Sequence, residues 1–513
     1  MEASNYDNDS ETSLDKGDLF TACGSKWRRK VTERVKKLEI WGILLILAGF
    51  FVLFRSYSTS FLFPDIYGND SAQFQIIGRM WSEGKSPYVD CFDHKGPVIF
   101  LIDMIGYKIT GNSVGIMILQ IIFMFFTLLA LYAMCKDNKY WFVIVLASIF
   151  TIAFNYAEGN LTGEYCLPFL SYSMYLQLKY INEEDKEHSP GSAFFYGISF
   201  AVCLLTRLSN AIPVVAGVVV ITFYLIKMRE WKNLLHNMIA LLAGIMLLLC
   251  PFVIYFGIKG QLYQFYFGTI GFNLLYQKRI ESWIIGADIH TWVQFVIVYI
   301  AYFTIFISGI LALMLHKYRL VIYCVVLALA ESWLFLSGAG FSQYGIIAIP
   351  NITLFWVLLL ELGVKYSKWV HRLSVLFLCG YVLFTGGRMV KRIAENMTVK
   401  EDSATEEIDG LMAYIPEEEQ DSFIAYGDDT LKAVYLKYHI NPCYPYFAIQ
   451  EWHAGFSNAV REGIHQTFQS EKAKWILTGE TTNGIQDILD EHYELVAKTN
   501  GYRLYHHASS TIQ

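Results

Sequence analysis

Between Asp65 and Pro97 the chain reads DIYGNDSAQFQIIGRMWSEGKSPYVDCFDHKGP, a polar, acid-rich segment set between apolar runs. It carries carboxylates at Asp65, Asp70, Asp90 and Asp93, an imidazole at His94 and an ammonium at Lys95. Groups of these types move protons, organise metal ions or neutralise phosphates. Asp70 suits a general base or a metal-organising carboxylate. Asp followed by SAQF also reads as a helix N-cap, and the local pattern leans to the cap. The two roles are compatible, because a cap holds its carboxylate still. In DCFDHKGP, Lys95 suits a lipid phosphate at a membrane face, and Gly-Pro fixes the chain's entry into the next helix. The bland alternative there is a solvated loop with a snorkelling lysine.

Three further segments hold candidates. EGNLTGEY places Glu158 and Glu164 at the edge of an apolar run, where carboxylates are costly unless used or paired. They read equally as two loop acids or as a second acidic group facing Asp70. Arg207 interrupts the apolar stretch LLTRLSN, and such an arginine pairs either with an acid or with an anionic substrate. SGAGFSQYGIIAIP is a Gly-rich turn entering a helix, with Gln343 and Tyr344 at its mouth. Sequons at Asn69 and Asn160 fall beside these groups. A glycan there would obstruct them, which leans towards a bacterial membrane.

Composition sets the solvent in which these groups sit. With 54% hydrophobic and 17% charged residues, the chain reads as a multi-span membrane protein. About 20 largely apolar residues cross roughly 30 Å of hydrocarbon. The candidate spans are 38–55, 113–135, 140–157, 165–181, 193–208, 211–229, 233–257, 291–315, 320–337, 345–364 and 371–387. The run 97–110 is short and carries Asp103 and Lys108; it reads as an interfacial or half-inserted helix, with a full span as the alternative. KWRRKVTERVKK precedes the first run, and KDNK, KMREWK, HKYR and KYSKWVHR lie between later ones. With about eleven spans these basic connectors share the N-terminal side, which the positive-inside rule makes the cytoplasm. The acidic loops are then extracytoplasmic. The aromatic connector 258–290 suits a helix in the headgroup plane. The first run lacks a small-residue cleavage site and is expected to remain as an anchor.

Four regions follow. Residues 1–25 are expected as a disordered cytoplasmic tail, 26–390 as an all-α polytopic domain whose outer loop 56–96 carries the chemistry, 391–409 as a charged linker, and 410–513 as a small extracytoplasmic α/β domain. In the last, SFIAYG and KWILTG read as strands, and DTLKAVYLKYH, AVREGIHQTFQ and GIQDILDEHY as helices. YELVAKTNGYRLYHH reads as a hairpin turning at Asn500-Gly501. A net charge of −6 gives no reason to expect nucleic acid. The nine cysteines show no metal-binding spacing.

A span, a long outer loop with an early Asp and a late Lys-Gly-Pro, a second acidic loop, many spans and an outer α/β tail together resemble the GT-C-fold glycosyltransferases. The likeness is greatest to the bacterial branch related to protein O-mannosyltransferases and to the lipid A aminoarabinose transferase, and its layout covers roughly residues 38 to 390. The resemblance implies Asp70 as the catalytic acid of the first loop and Lys95 as the lysine on the lipid-linked phosphate, with Gly-Pro where relatives often have Pro-Pro. It implies Glu164 as the second acid, with Glu158 beside it and Gly163 where related bacterial sequences often carry another Glu. GFSQY resembles a GFxHY segment in which Gln343 replaces the histidine, leaving Tyr344 as the better candidate for a donor contact. The implied donor is a polyprenyl-phosphate sugar in the bilayer of the bacterial cytoplasmic membrane, and the acceptor is an envelope glycan, lipid or protein. Asp70 would deprotonate or orient the acceptor hydroxyl for in-line, inverting attack, and Lys95 and Arg207 would stabilise the departing phosphate. The family is not uniform on metals; Asp93, His94 or Glu164 offer ligands for a divalent ion.

Two other classes compete. A lipid-linked sugar flippase predicts polar residues through the middle of spans, whereas here they cluster at one mouth, Asp103 and Glu331 excepted. A non-catalytic envelope assembly protein would use the outer tail to bind a partner and leave the loop acids incidental.

Overall fold

The computed structural model describes residues 16–64, 66–156, 158–183, 185–277, 287–337, 341–398, 403–447, 454–470, 472–480 and 484–508. Asp65 and residues 338–340 of the Gly-rich turn lie outside them. Helix α1 (Lys16–Arg55) carries the first apolar run and reaches back into the segment expected as a tail. Residues 1–15 of that segment are outside the described part.

From Ala48 onward the chain forms one compact unit. Each apolar run is helical: α4 (Ser113–Cys135), α5 (Trp141–Asn155), α6 (Thr162–Glu183), α7 (Pro190–Leu204), α8 (Ile212–Lys227), α9 (Trp231–Ile258), the bent pair α12 (Ile289–Val298) and α13 (Ile300–Met314), α14 (Tyr318–Ser337), α15 (Ile349–Tyr366) and α16 (Lys368–Thr398). Among the described residues seven helices are long and apolar enough to cross a membrane, or eight if the bent pair is one span. The difference from eleven has a physical origin. Helices α5 and α7 have 15 residues each, about 22 Å at 1.5 Å per residue, which is short of the hydrocarbon thickness. Helix α6 is continuous but contains Pro168 and many polar side chains, which lower its hydropathy.

Two shorter helices lie between α1 and α4. Helix α2 (Asp70–Ser82) begins at Asp70, and almost all of its first ten residues are buried. Helix α3 (Pro97–Thr110) follows the Lys-Gly-Pro, with Pro97 at its first position, where a missing N–H costs nothing. It packs along α2 and α4, and its 14 residues span about 21 Å. The connector after α9 is helical where it is described, as α10 (Leu262–Tyr266), a π-helical turn Phe267–Gly271 and α11 (Phe272–Gln277).

The C-terminal part holds a four-stranded sheet in the order β1 (Phe423–Tyr426), β2 (Trp475–Thr478), β4 (Arg503–His507), β3 (Tyr493–Lys498). β1 and β2 are parallel, while β4 is antiparallel to both β2 and β3. The hairpin closes where Asn500-Gly501 predicts, with the Thr499 N–H donated to the Tyr502 carbonyl at 2.9 Å. β1 leads through the 3-10 turn Asp429–Lys432 into the short helix Ala433–Lys437. This edge meets α2. Arg79, buried among apolar neighbours, donates to the carbonyls of Tyr435 (3.1 Å) and Ile440 (2.5 Å) and to Asn441 Oδ1 (3.1 Å). Lys432, 4% exposed, donates to Gln73 Oε1 at 3.1 Å. The sheet is thus locked to the helix that presents Asp70.

Candidate active site

Asp70 is the first residue of α2, and Asn69 occupies the N-cap position without a side-chain cap bond. The capping expected of Asp70 comes from another loop. The Glu158 carboxylate accepts the amide N–H of Asn69 at 2.9 Å and of Ser71 at 2.7 Å. An anion on the first amides of a helix is favoured by their unpaired N–H groups and by the helix dipole. Gly68 makes the approach possible: its φ is +72°, and a Cβ there would lie 2.7 Å from the Glu158 carboxyl carbon. With the helix end already satisfied, the Asp70 carboxylate turns to Gln343, whose Nε2 donates to Oδ2 at 3.4 Å. Burial, then the nearby Asp70 charge, raise the Glu158 pKa to about 7.

Glu164 sits elsewhere. It is 2% exposed and accepts from Tyr156 Oη at 2.6 Å and Gln120 Nε2 at 3.1 Å, inside a buried polar cluster that includes Ser56 and Thr59. Of the two acids in this loop, Glu158 is the one that meets the Asp70 helix. Asn160 between them is fully buried; its amide donates to Asp103 Oδ2 at 2.9 Å and to Ser71 Oγ at 3.2 Å. That sequon has no room for a glycan.

Lys95 and Arg207 are brought together by one backbone contact. The Gly96 N–H donates to the Thr206 carbonyl at 2.9 Å, and the Val98 N–H to that of Leu205, also at 2.9 Å. A Cβ on Gly96 would lie 2.2 Å from the Leu205 backbone, so only glycine allows the two strands of chain this close. The flanking residues, Lys95 on one side and Arg207 on the other, then face one site, within reach of each other's charge. The Arg207 guanidinium lies flat on the Tyr344 ring, 3.3 Å from its centroid, which leaves its N–H edge for an anion. Gln343 and Tyr344 belong to the 3-10 turn Ser342–Ala348, pinned by Asn155, whose Nδ2 donates to the Ser342 and Val298 carbonyls at 2.8 Å each.

Asp93, His94 and Lys95 form a chain. The Lys95 ammonium lies 2.6 Å from His94 Nε2, and His94 Nδ1 lies 3.2 Å from Asp93 Oδ1. The consistent protonation has Nδ1–H facing Asp93 and Nε2 accepting from Lys95. Burial, then the Lys95 charge, press the His94 pKa down. Burial likewise lowers that of Lys95, while Asp93 and Asp70 counter it. Burial opposes ionisation of Asp93, but Lys95 and His94 hold its carboxyl well below the usual range. A second layer fixes the chain: Tyr88 Oη donates to the Lys95 carbonyl at 2.8 Å, and Asn273 Nδ2 to that of His94 at 2.6 Å. A divalent ion fits poorly at Asp93 and His94, because an ammonium already occupies the imidazole's outer nitrogen. Among the described residues no three His, Cys, Asp or Glu side chains converge on a metal-sized site.

The pocket therefore holds one partly exposed carboxylate, two cations and an aromatic platform, at one end of a helix bundle. Residues 94–256 match the family model described as dolichyl-phosphate-mannose-protein mannosyltransferase. The chain superposes on ArnT from Cupriavidus metallidurans, solved bound to undecaprenyl phosphate, with a TM-score of 0.57 at 12% identity, over 92% of this chain and 98% of that one. The chain has the GT-C fold. A second neighbour, the archaeal oligosaccharyltransferase AglB from Archaeoglobus fulgidus, gives a TM-score of 0.48 at 11% identity over 93% of this chain and 75% of that one. No curated protein sequence matches this chain.

Within this GT-C fold the family match takes in Lys95, Glu158, Glu164 and Arg207. Asp70, Gln343 and Tyr344 lie outside it and reach the pocket by folding. Sequence reasoning passed over Gln73, Arg79 and Lys432. Their signal was weak: an arginine in an otherwise apolar helical run, and a lysine following a strand some 350 residues away.

Proposed function

We propose that the protein transfers a sugar from a polyprenyl-phosphate-linked donor to an envelope acceptor on the extracytoplasmic side of the bacterial cytoplasmic membrane. The observation that carries this reading is the convergence of the Asp70 carboxylate with Lys95 and Arg207. Lys95 feels the charges of both Asp70 and Arg207. A base beside two cations suits a reaction that removes a proton at one atom and releases an anion at another.

The step is a single displacement. Asp70 Oδ takes the proton of the acceptor hydroxyl, and the acceptor oxygen attacks the anomeric carbon. The bond from that carbon to the phosphate oxygen breaks, and polyprenyl phosphate departs with the electron pair, so configuration inverts. Lys95 and Arg207 neutralise the charge that develops on the phosphate, the kind of preorganised electrostatic help that is worth most in a site shielded from water. Gln343, donating to Asp70, orients the base. Glu158 holds the amides at the start of α2 and so leaves Asp70 free for the acceptor. The Asp93–His94–Lys95 chain fixes the ammonium.

The family match and the superposition on ArnT support a membrane glycosyltransferase with a lipid-linked donor. The test is purified protein in liposomes with a labelled polyprenyl-phosphate sugar and an envelope extract. Donor-dependent covalent labelling of an acceptor is the expected result. Movement of label across the bilayer without transfer would instead make the protein a flippase.

A further inference from the structure

A second cationic site lies on the face of the bundle that carries Asp70, and the mechanism above does not use it. A cavity of about 80 Å³ opens between the end of α5, the end of α12 and the last third of α16, lined by Phe154, Val298, Thr385, Arg388, Met389 and Arg392. Its walls are apolar and its rim is basic. The Arg388 guanidinium lies over the Phe154 ring, 5.3 Å from the centroid. Arg392 is exposed, with Glu395 Oε2 at 3.8 Å. Beneath them Arg55, 3% exposed, donates to the Ala153 and Tyr156 carbonyls at 3.2 and 2.6 Å and closes the end of α5. Its Nε has no hydrogen-bond partner among the described residues. Lys391 adds a further positive charge on the same turn, and Glu395 is the acid that meets this group.

Depth in the membrane identifies the occupant. Leu376, Phe377, Leu383 and Phe384 on α16 are apolar and 56–77% exposed, which marks a lipid-facing surface. From Lys368, at the other end of α16, to Arg388 is 20 residues, or about 30 Å of helix, the thickness of the hydrocarbon layer. Both arginines therefore stand at headgroup level, directly above the acyl region. Cations gathered at the end remote from the basic connectors also run against the positive-inside distribution. An anionic ligand at that end accounts for them.

We propose that this groove binds the phosphate of an anionic membrane phospholipid, with Arg388 and Arg392 on the phosphate and one acyl chain along Leu383 and Phe384. With Glu395 offsetting part of the charge, the two arginines leave a net positive charge opposite the single negative charge of a phosphodiester, and the ring of Phe154 holds Arg388 in place. The binding does not depend on the sugar-transfer chemistry proposed above, so the two stand or fall separately.

The test is native mass spectrometry of the full-length protein after delipidation, titrated with phosphatidylglycerol and with phosphatidylcholine. The wild type is expected to retain one phosphatidylglycerol with about a tenfold or greater preference, the scale of two cation–phosphate contacts at a membrane surface. Arg388→Gln with Arg392→Gln should reduce the ratio to about one, while Lys391→Gln should keep most of it. Should the double variant fail to fold, Arg392→Gln alone, at an exposed position, should still lower the preference severalfold. Equal retention of both lipids by the wild type, or an unchanged preference in the arginine variants, overturns the proposal. So does displacement of the lipid by millimolar inorganic phosphate, which would make the site one for free anions.

Discussion

Glu158 caps the helix that begins at Asp70, its carboxylate holding the amides on either side of that residue at 2.9 and 2.7 Å. Two acids from different loops thus divide the work at one helix end. One satisfies the backbone, and the other turns to Gln343.

This division makes a pH-dependent prediction. Glu158 titrates at about 7 in the folded protein, against 4.5 without its surroundings. Between those values the folded chain keeps a proton that the unfolded chain has released. Stability from this group is therefore full at the acid end and is lost as pH rises towards 7. The swing is at most about 3 kcal/mol. Thermal melts of the wild type should fall between pH 5 and 7.5, and Glu158→Gln should flatten that fall. An identical pH profile in the variant would show that Glu158 does not titrate there.

Lys95→Met should weaken binding of polyprenyl phosphate by roughly 10- to 100-fold, the worth of one charged hydrogen bond. Arg207→Lys should also weaken it, because a lysine cannot lie flat on Tyr344 and offer a planar edge. Competition binding with a labelled polyprenyl phosphate measures both. Wild-type affinity in Lys95→Met would remove that residue from the phosphate site.

Gly96→Ala places a methyl 2.2 Å from the Leu205 backbone and must push apart the segments that pair Lys95 with Arg207. The expected cost is about 1–3 kcal/mol of stability, with a loss of phosphate affinity. Gly380→Ala on α16, where nothing lies within 4 Å of the added carbon, is the control and should be neutral or slightly stabilising. Melting temperature and lipid affinity, measured together, separate the two variants.

Arg79→Met leaves the Tyr435 and Ile440 carbonyls without their cation. Sensitivity of the C-terminal sheet to limited proteolysis should rise, and transfer should fall with it, since Arg79 and Asp70 share α2. Unchanged proteolysis would mean that other contacts, such as Lys432 with Gln73, suffice.

Much of this arrangement was legible in the sequence because it rests on local signals. Lys-Gly-Pro announces a helix entry, Asn500-Gly501 a hairpin turn, and acids at the edge of apolar runs announce a polar pocket. The helix cap at Asp70 was misread for an equally physical reason. Local pattern can propose a cap, but it cannot see the distant carboxylate of Glu158, which takes the amides of Asn69 and Ser71 at this helix start. The two acids of the EGNLTGEY loop looked equivalent until folding turned Glu164 towards Gln120 and Glu158 towards α2. Arg79 and Lys432 could not be paired with their partners across the membrane domain from composition alone. Helices α5 and α7 are apolar as the sequence predicts but shorter than the runs that announced them, because helix ends are set by turns that hydropathy does not mark.

The central claim is that Asp70 takes the acceptor's proton. Turnover of Asp70→Asn, in a preparation shown to bind polyprenyl phosphate as the wild type does, tests it most directly. The prediction is a loss of transfer of about 100-fold or more, the scale of general-base catalysis, with donor affinity unchanged. Transfer within a few-fold of the wild type would contradict it.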